Sequence, residues 1–180
     1  GSQSVTITIT NKALDSGTQN SYNSSTATAW LSDTEFTNSG FADANFGSSG
    51  GDDPYKNINL HKALAYSNGS GLMLGAGEVV AVMDSGFQVS GAGSNSSTHI
   101  ELQGKTITVH TNANFTTYNE SSNNHGTGVA GVAVGTYGTG STMGVAPQAS
   151  LHIHDYYYDF QPTGWATGTT DAEGDGAVVQ

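Results

Sequence analysis

Glu78-Val79-Val80-Ala81-Val82-Met83-Asp84-Ser85-Gly86 is the stretch on which the fold class turns. Its apolar part, Val79–Met83, is short, β-branched and continuous, with no alternation of polar and apolar positions. A half-exposed strand alternates. An unbroken run closed by a turn signal is what a strand buried on both faces looks like, and such strands belong to parallel sheets covered by helices. Ser85-Gly86 ends the run, so Asp84 falls at the carboxyl end of the strand, where ligands and reacting groups gather in open α/β sheets. An Asp held there can orient an imidazole and stabilise its charged form. It can equally cap the strand-to-loop turn.

Downstream, Thr106–His110 reads as a second strand and Ser150–Tyr156 as a third, with Gly144-Val145-Ala146-Pro147 as a turn before it. Between them, Gly126-Thr-Gly-Val-Ala-Gly-Val-Ala-Val-Gly135 predicts a tightly packed helix of small residues, with His125 at its mouth and Asn123 or Asn124 able to cap it. A His with a near-neutral pKa suits general-base work on a hydroxyl. A capping or surface role is the plainer reading. From Gln161 the chain is Gly- and Thr-rich, and Ala177-Val178-Val179-Gln180 begins an element expected to continue past the C-terminus.

Upstream, Ile58, Leu60, Leu64 and Ala65 predict a short amphipathic helix over Lys56–Tyr66, closed by Asn68-Gly69-Ser70-Gly71. Gly50-Gly51-Asp52-Asp53-Pro54-Tyr55 is a breaker. Before it, residues 15–53 read as a loop-rich lead-in whose isolated aromatics (Trp30, Phe36, Phe41, Phe46) can pin it to a core. Ser4–Thr10 alternates strictly, giving one strand with Val5, Ile7 and Ile9 on one face. The expected organisation is a lead-in over residues 1–51 followed by one α/β domain over 52–180.

Composition narrows the function classes. Four Lys+Arg against fifteen Asp+Glu give a formal charge of -11. Nothing there neutralises a row of phosphates, so nucleic acid is excluded as a partner, and the same field favours cations. Cys is absent, which removes disulfides, thiolate nucleophiles and thiolate metal sites. No apolar run reaches the roughly 20 residues of a membrane span, and the Gly1-Ser2 start reads as processed or engineered. Asn-x-Ser/Thr triplets at Asn23, Asn68, Asn95, Asn114 and Asn119 arise as readily from this composition as from glycosylation.

Taken together, three segments carry more than each alone: Val80-Ala81-Val82-Met83-Asp84-Ser85-Gly86, then His125-Gly126-Thr127-Gly128-Val129-Ala130-Gly131, then Gly144-Val145-Ala146-Pro147-Gln148-Ala149-Ser150-Leu151. Their order and content resemble the subtilase family over roughly residues 52–156, including the lead-in Asp53-Pro54-Tyr55 and Ile58–Tyr66. The resemblance implies a mainly parallel, doubly wound α/β sheet flanked by helices, incomplete here at its C-terminus. It implies a serine endopeptidase acting on polypeptides through an Asp-His-Ser triad, with Asp84 holding His125 and His125 taking a proton from the Ser. Two departures are visible. Gly128 stands where the family most often has His, a variable position outside the triad. The family's oxyanion Asn and its Gly-Thr-Ser-Met-Ala nucleophile segment are not among these 180 residues; Ser85 belongs to the Asp motif and is no substitute. The chain alone is therefore expected to be inactive, with the remainder of the domain or a partner chain supplying the Ser. The lead-in and Ala63–Tyr66 are similar to subtilase passenger domains of bacterial autotransporters, which implies a secreted or surface-displayed protein. A non-catalytic domain of this fold, serving as a structural or adhesive module of a surface assembly, is the alternative.

Metal signals are sparser. Asp171-Ala-Glu173-Gly-Asp175-Gly176 spaces its carboxylates like the first half of a calcium loop, and calcium is common in the family it resembles; a solvated acidic loop is the competing reading. Asp43, Asn45, Asp52 and Asp53 add oxygen donors without a motif. His152 and His154, at period two on a strand, share a face and could begin a zinc site, though no Cys or Glu sits at matching spacing. Tyr156-Tyr157-Tyr158 reads as sheet packing.

Overall fold

A computed structural model describes residues 20–39, 54–68, 70–92, 97–110, 125–155 and 162–179. In chain order the elements are β1 (Ser21–Tyr22), α1 (Ser24–Trp30), α2 (Thr34–Ser39), α3 (Pro54–Asn57), α4 (Leu60–Ala63), β2 (Tyr66–Ser67) and β3 (Val79–Asp84). A 3-10 turn at Ile100–Leu102 precedes β4 (Ile107–His110), α5 (His125–Val134), β5 (Ser150–Asp155), α6 (Pro162–Gly174) and β6 (Ala177–Val179).

The apolar run at 79–83 does become a central strand. β3 pairs in parallel with β5 on one side and β6 on the other, β4 adds in parallel beyond β5, and the order across the sheet is β4-β5-β3-β6. Register places Val80 beside Leu151 and Val82 beside Ile153. These four share a face with Ala130 and Val134 of α5 and with Phe87, Val89 and Leu102. On the opposite face Ala81, Met83, His152 and His154 line up under Gly168 and Ala172 of α6. Helices thus cover both faces, as the unbroken apolar run requires.

Chain direction and face together fix the hand of each crossover. The link from β3 to β4 runs over the α5 face in one direction; the link from β4 to β5 returns over that face in the other. The link from β5 to β6 continues in the second direction but over the α6 face. The first and third therefore share one hand and the α5 crossover has the opposite one. Since about 98% of such crossovers are right-handed, α5 carries the left-handed exception.

A second core joins Trp30, Phe36, Tyr55, Leu60, Leu64, Leu74 and Met143. The Tyr55 hydroxyl donates to the Met143 carbonyl at 3.0 Å, tying this cluster to the segment after α5.

Several expectations are corrected. The lead-in contains two helices: Asn23 caps α1 by accepting from Thr26 N at 3.0 Å, and Asp33 accepts from Phe36 N at 3.0 Å before α2. Trp30 and Phe36 pin it to the second core as anticipated. The single helix expected over 56–66 is two short ones, because Asn59 takes a left-handed conformation (φ 57°) and Ile58 is left 64% exposed. The Gly/Thr-rich segment after Gln161, to which the sequence assigned no element, forms α6. Residues 4–10, Phe41, Phe46, Asp43, Asn45, Asp52, Asp53, Asn123, Asn124 and Tyr156–Tyr158 lie outside the described residues. Among the described residues no helix is long and apolar enough to cross a membrane.

Candidate active site

Asp84 closes β3 with only 7% of its surface exposed. Its Oδ1 accepts from the Ser85 backbone N–H at 2.6 Å. His125 opens α5, and its Nδ1 lies 2.8 Å from Asp84 Oδ1 and 2.9 Å from Oδ2. The two residues are 41 positions apart in the chain. The carboxylate is buried at 11% side-chain exposure while the imidazole is open at 69%. A buried acceptor on Nδ1 fixes the ring's orientation and favours the tautomer with its proton there. Nε2, on the far edge, is then the basic nitrogen, on a ring open enough for a third group to reach.

The pair is held by backbone as much as by side chains. A helix leaves its first N–H groups without intrahelical acceptors. Here Gly126 N donates to Ser85 O at 2.8 Å and Thr127 N to Gly86 O at 3.0 Å. Thr127 Oγ1 donates to Gly86 O at 3.2 Å and accepts from Gln88 N at 2.7 Å. The turn after Asp84 thus caps the helix that carries His125, so neither residue moves without the other. Gly86 makes the turn possible at φ 80°, a conformation that side chains with a Cβ avoid.

The far end of α5 is closed in the same way. Val145 N donates to Val132 O at 3.0 Å and Ala146 N to Ala133 O at 2.9 Å. The Gly-Val-Ala-Pro segment is therefore the C-terminal cap of the His helix. Gly144 lies so close to Val134 that a Cβ would come within 2.6 Å of its backbone. All three sequence segments meet on one structural unit.

A cavity of about 240 Å³ opens beside α5, lined by Tyr55, Glu101, Gly128, Val132 and Met143 among others. Gly128 has no atom within 4 Å of where a Cβ would stand, so departure from the commoner His costs no packing.

The acidic trio does not form a calcium loop. Asp171 and Glu173 lie in α6 and Asp175 just after it. Helical spacing puts residues four apart on one face and two apart on nearly opposite faces. Asp171 and Asp175 accordingly both approach His110, at 3.2 and 3.0 Å, while Glu173 is exposed. Asp175 also accepts from His152 Nδ1 at 2.7 Å, and hydrogen bonds from His152 and then His110 hold its carboxyl below the usual range. His154 instead faces Gly168, where a Cβ would come within 2.9 Å of its ring. His152 and His154 therefore do not act as a pair, and His110 is a residue the sequence reading missed.

A buried carboxylate thus grips an imidazole at the carboxyl end of a parallel strand, an arrangement that can hold a base in one orientation and tautomer. The sequence model of the subtilase family matches residues 75–177, a span that contains both Asp84 and His125 and more than half of the chain. The chain belongs to the subtilase family, a family of peptidases acting on polypeptides. No curated protein matches it.

Proposed function

We propose that this protein is a subtilisin-type serine endopeptidase in which Asp84 orients His125 and His125 Nε2 accepts the proton of a Ser as that Ser attacks the scissile carbonyl. The observation that carries this reading is the 2.8 Å contact of His125 Nδ1 with a buried Asp84 on the strand and helix where the family match falls. In this reading the Ser is supplied from outside these 180 residues, by the remainder of the domain or by a partner chain. His125 then returns its proton to the leaving amine. The reading places the protein outside the cell, in keeping with a polar sequence that holds only four Lys and Arg residues. The carboxylates of Asp171, Glu173 and Asp175 do not meet at one point, and this mechanism assigns them no role.

Labelling of the native full-length protein with a fluorophosphonate serine-hydrolase probe tests this. Labelling is expected, and it is expected to disappear in His125→Ala. An unlabelled protein with its fold intact sinks the peptidase reading and leaves the non-catalytic surface module in its place.

A further inference from the structure

On the sheet face opposite α5, three side chains from three elements converge. His110 at the end of β4, His152 in β5 and Asp175 after α6 each offer a ligand atom within 4.8 Å of the others, and Asp175 Oδ2 contacts both His110 Nε2 and His152 Nδ1. We propose that His110, His152 and Asp175 form a binding site for a divalent transition metal of the zinc type, separate from Asp84 and His125. The proposal does not depend on the peptidase reading.

The donor set decides the class of ion. Two imidazole nitrogens and one carboxylate suit zinc and its neighbours, whereas calcium takes six to eight oxygens. The chain's formal charge of -11 favours any cation. One oxygen of Asp175 already lies beside both imidazoles. His152 Nδ1 and His110 Nε2 stand 2.7 and 3.0 Å from Asp175 Oδ2. Ligands around tetrahedral zinc, with bonds of about 2.0–2.1 Å, stand roughly 3.3 Å apart. Entry of the ion therefore replaces two hydrogen bonds and lengthens each nitrogen–oxygen separation by a few tenths of an ångström. It also turns the stacked rings out of parallel so that both nitrogens face the ion, and leaves each imidazole proton on its other ring nitrogen.

The surroundings support it too. A metal-bound His characteristically donates its other ring N–H to a carboxylate. Asp171 Oδ2 stands 3.2 Å from His110 Nδ1, on the ring edge away from Asp175. His152 is 1% exposed and so is fixed in place, and the half-buried His110 ring, stacked on it at 4.5 Å, is the one that turns toward the ion. Its Nε2 is buried without a partner among the described residues. With the metal on Nδ1, that nitrogen carries an unshared proton. This, with only three protein ligands and water completing the shell, makes the site weaker than a closed four-ligand structural zinc centre.

The test uses the untagged full-length protein, stripped with chelator, equilibrated with zinc chloride and assayed for bound metal and for thermal stability. The expected result is one zinc per chain, not displaced by excess calcium, with a rise in Tm on zinc addition. His110→Ala and Asp175→Asn, both at partly exposed side chains, are expected to lose that zinc and the rise in Tm. Asp171→Asn, which leaves every ligand in place, should weaken binding about 10- to 100-fold. The proposal is overturned by wild-type protein that retains no zinc, by zinc retained equally in His110→Ala and Asp175→Asn, or by calcium occupying the site in preference.

Discussion

Phe87 presses its ring against Gly126, so that a Cβ on Gly126 would stand 2.8 Å from two ring atoms. Phe87 is fully buried, three residues past Asp84, and Gly126 is the residue after His125. The contact sets how closely the His helix approaches the Asp turn. Gly126→Ala cannot be absorbed by moving an exposed side-chain tip, because the ring is locked in the core. Overpacking of this kind costs about 1–3 kcal/mol. The expected outcome is a Tm lower by several degrees together with slower probe labelling of the full-length protein. Wild-type Tm and labelling would show that the ring yields freely and that the contact does not position His125.

Gly128→Ala, two positions along the same helix, should act in the opposite direction. Gly128 is exposed, helical, and has nothing within 4 Å of the site of a Cβ. Gly in a helix interior is roughly 0.5–1 kcal/mol less favourable than Ala, so the substitution is expected to raise Tm by a few degrees. A fall in Tm comparable to that of Gly126→Ala would mean that α5 demands glycine for a reason other than space.

These two glycines show where the sequence was readable and where it was not. The run at 79–83 announced a strand buried on both faces, and small residues after His125 announced a tightly packed helix; both are found. Which glycine is needed was invisible, because that depends on Phe87 arriving from another segment. Asn123 and Asn124 lie outside the described residues, but Gly126 and Thr127 find acceptors in Ser85 and Gly86, some forty residues earlier, a relationship no local capping pattern reveals. α6 was missed for a related reason. Pro162–Gly174 is poor in strong helix formers, and its helix rests on packing: Gly168 lets it close on His154 and Met83. Without that helix the carboxylates of Asp171 and Asp175 could not be placed beside His110, so the period-two pair His152 and His154 was the only visible trace of the imidazole cluster.

Asp84→Asn tests the orienting role directly. Ser85 N–H donates to Asp84 Oδ1 at 2.6 Å, so the Asn oxygen stays on that donor and its NH2 takes the place of Oδ2, 2.9 Å from His125 Nδ1. An amide donor there forces Nδ1 to accept, which puts the imidazole proton on Nε2 and blocks it as a base. Loss of the correct tautomer in such triads lowers kcat about 10⁴-fold with geometry intact. Peptide hydrolysis by the full-length protein is expected to fall on that order, with Tm near wild type. Activity within a few-fold of wild type would remove Asp84 from the mechanism.

Lys105 supplies a pH dependence remote from the site. Its Nζ donates to the Pro147 carbonyl at 2.8 Å and the Ala149 carbonyl at 3.1 Å, beneath the segment that caps α5. Burial pushes its pKa down from 10.5 to about 8. Between those values the unfolded chain holds a proton that the folded chain has released, so this group makes stability rise with pH across that window. Below about 8 both states are protonated and the full cost of burying the ammonium is present. Denaturation midpoints of wild type and Lys105→Met, compared across the window, isolate the contribution. The wild-type midpoint should gain on the variant as pH rises, and the Lys105 Nζ resonance should titrate near 8. Parallel curves with no such resonance would show the ammonium to be fully solvated.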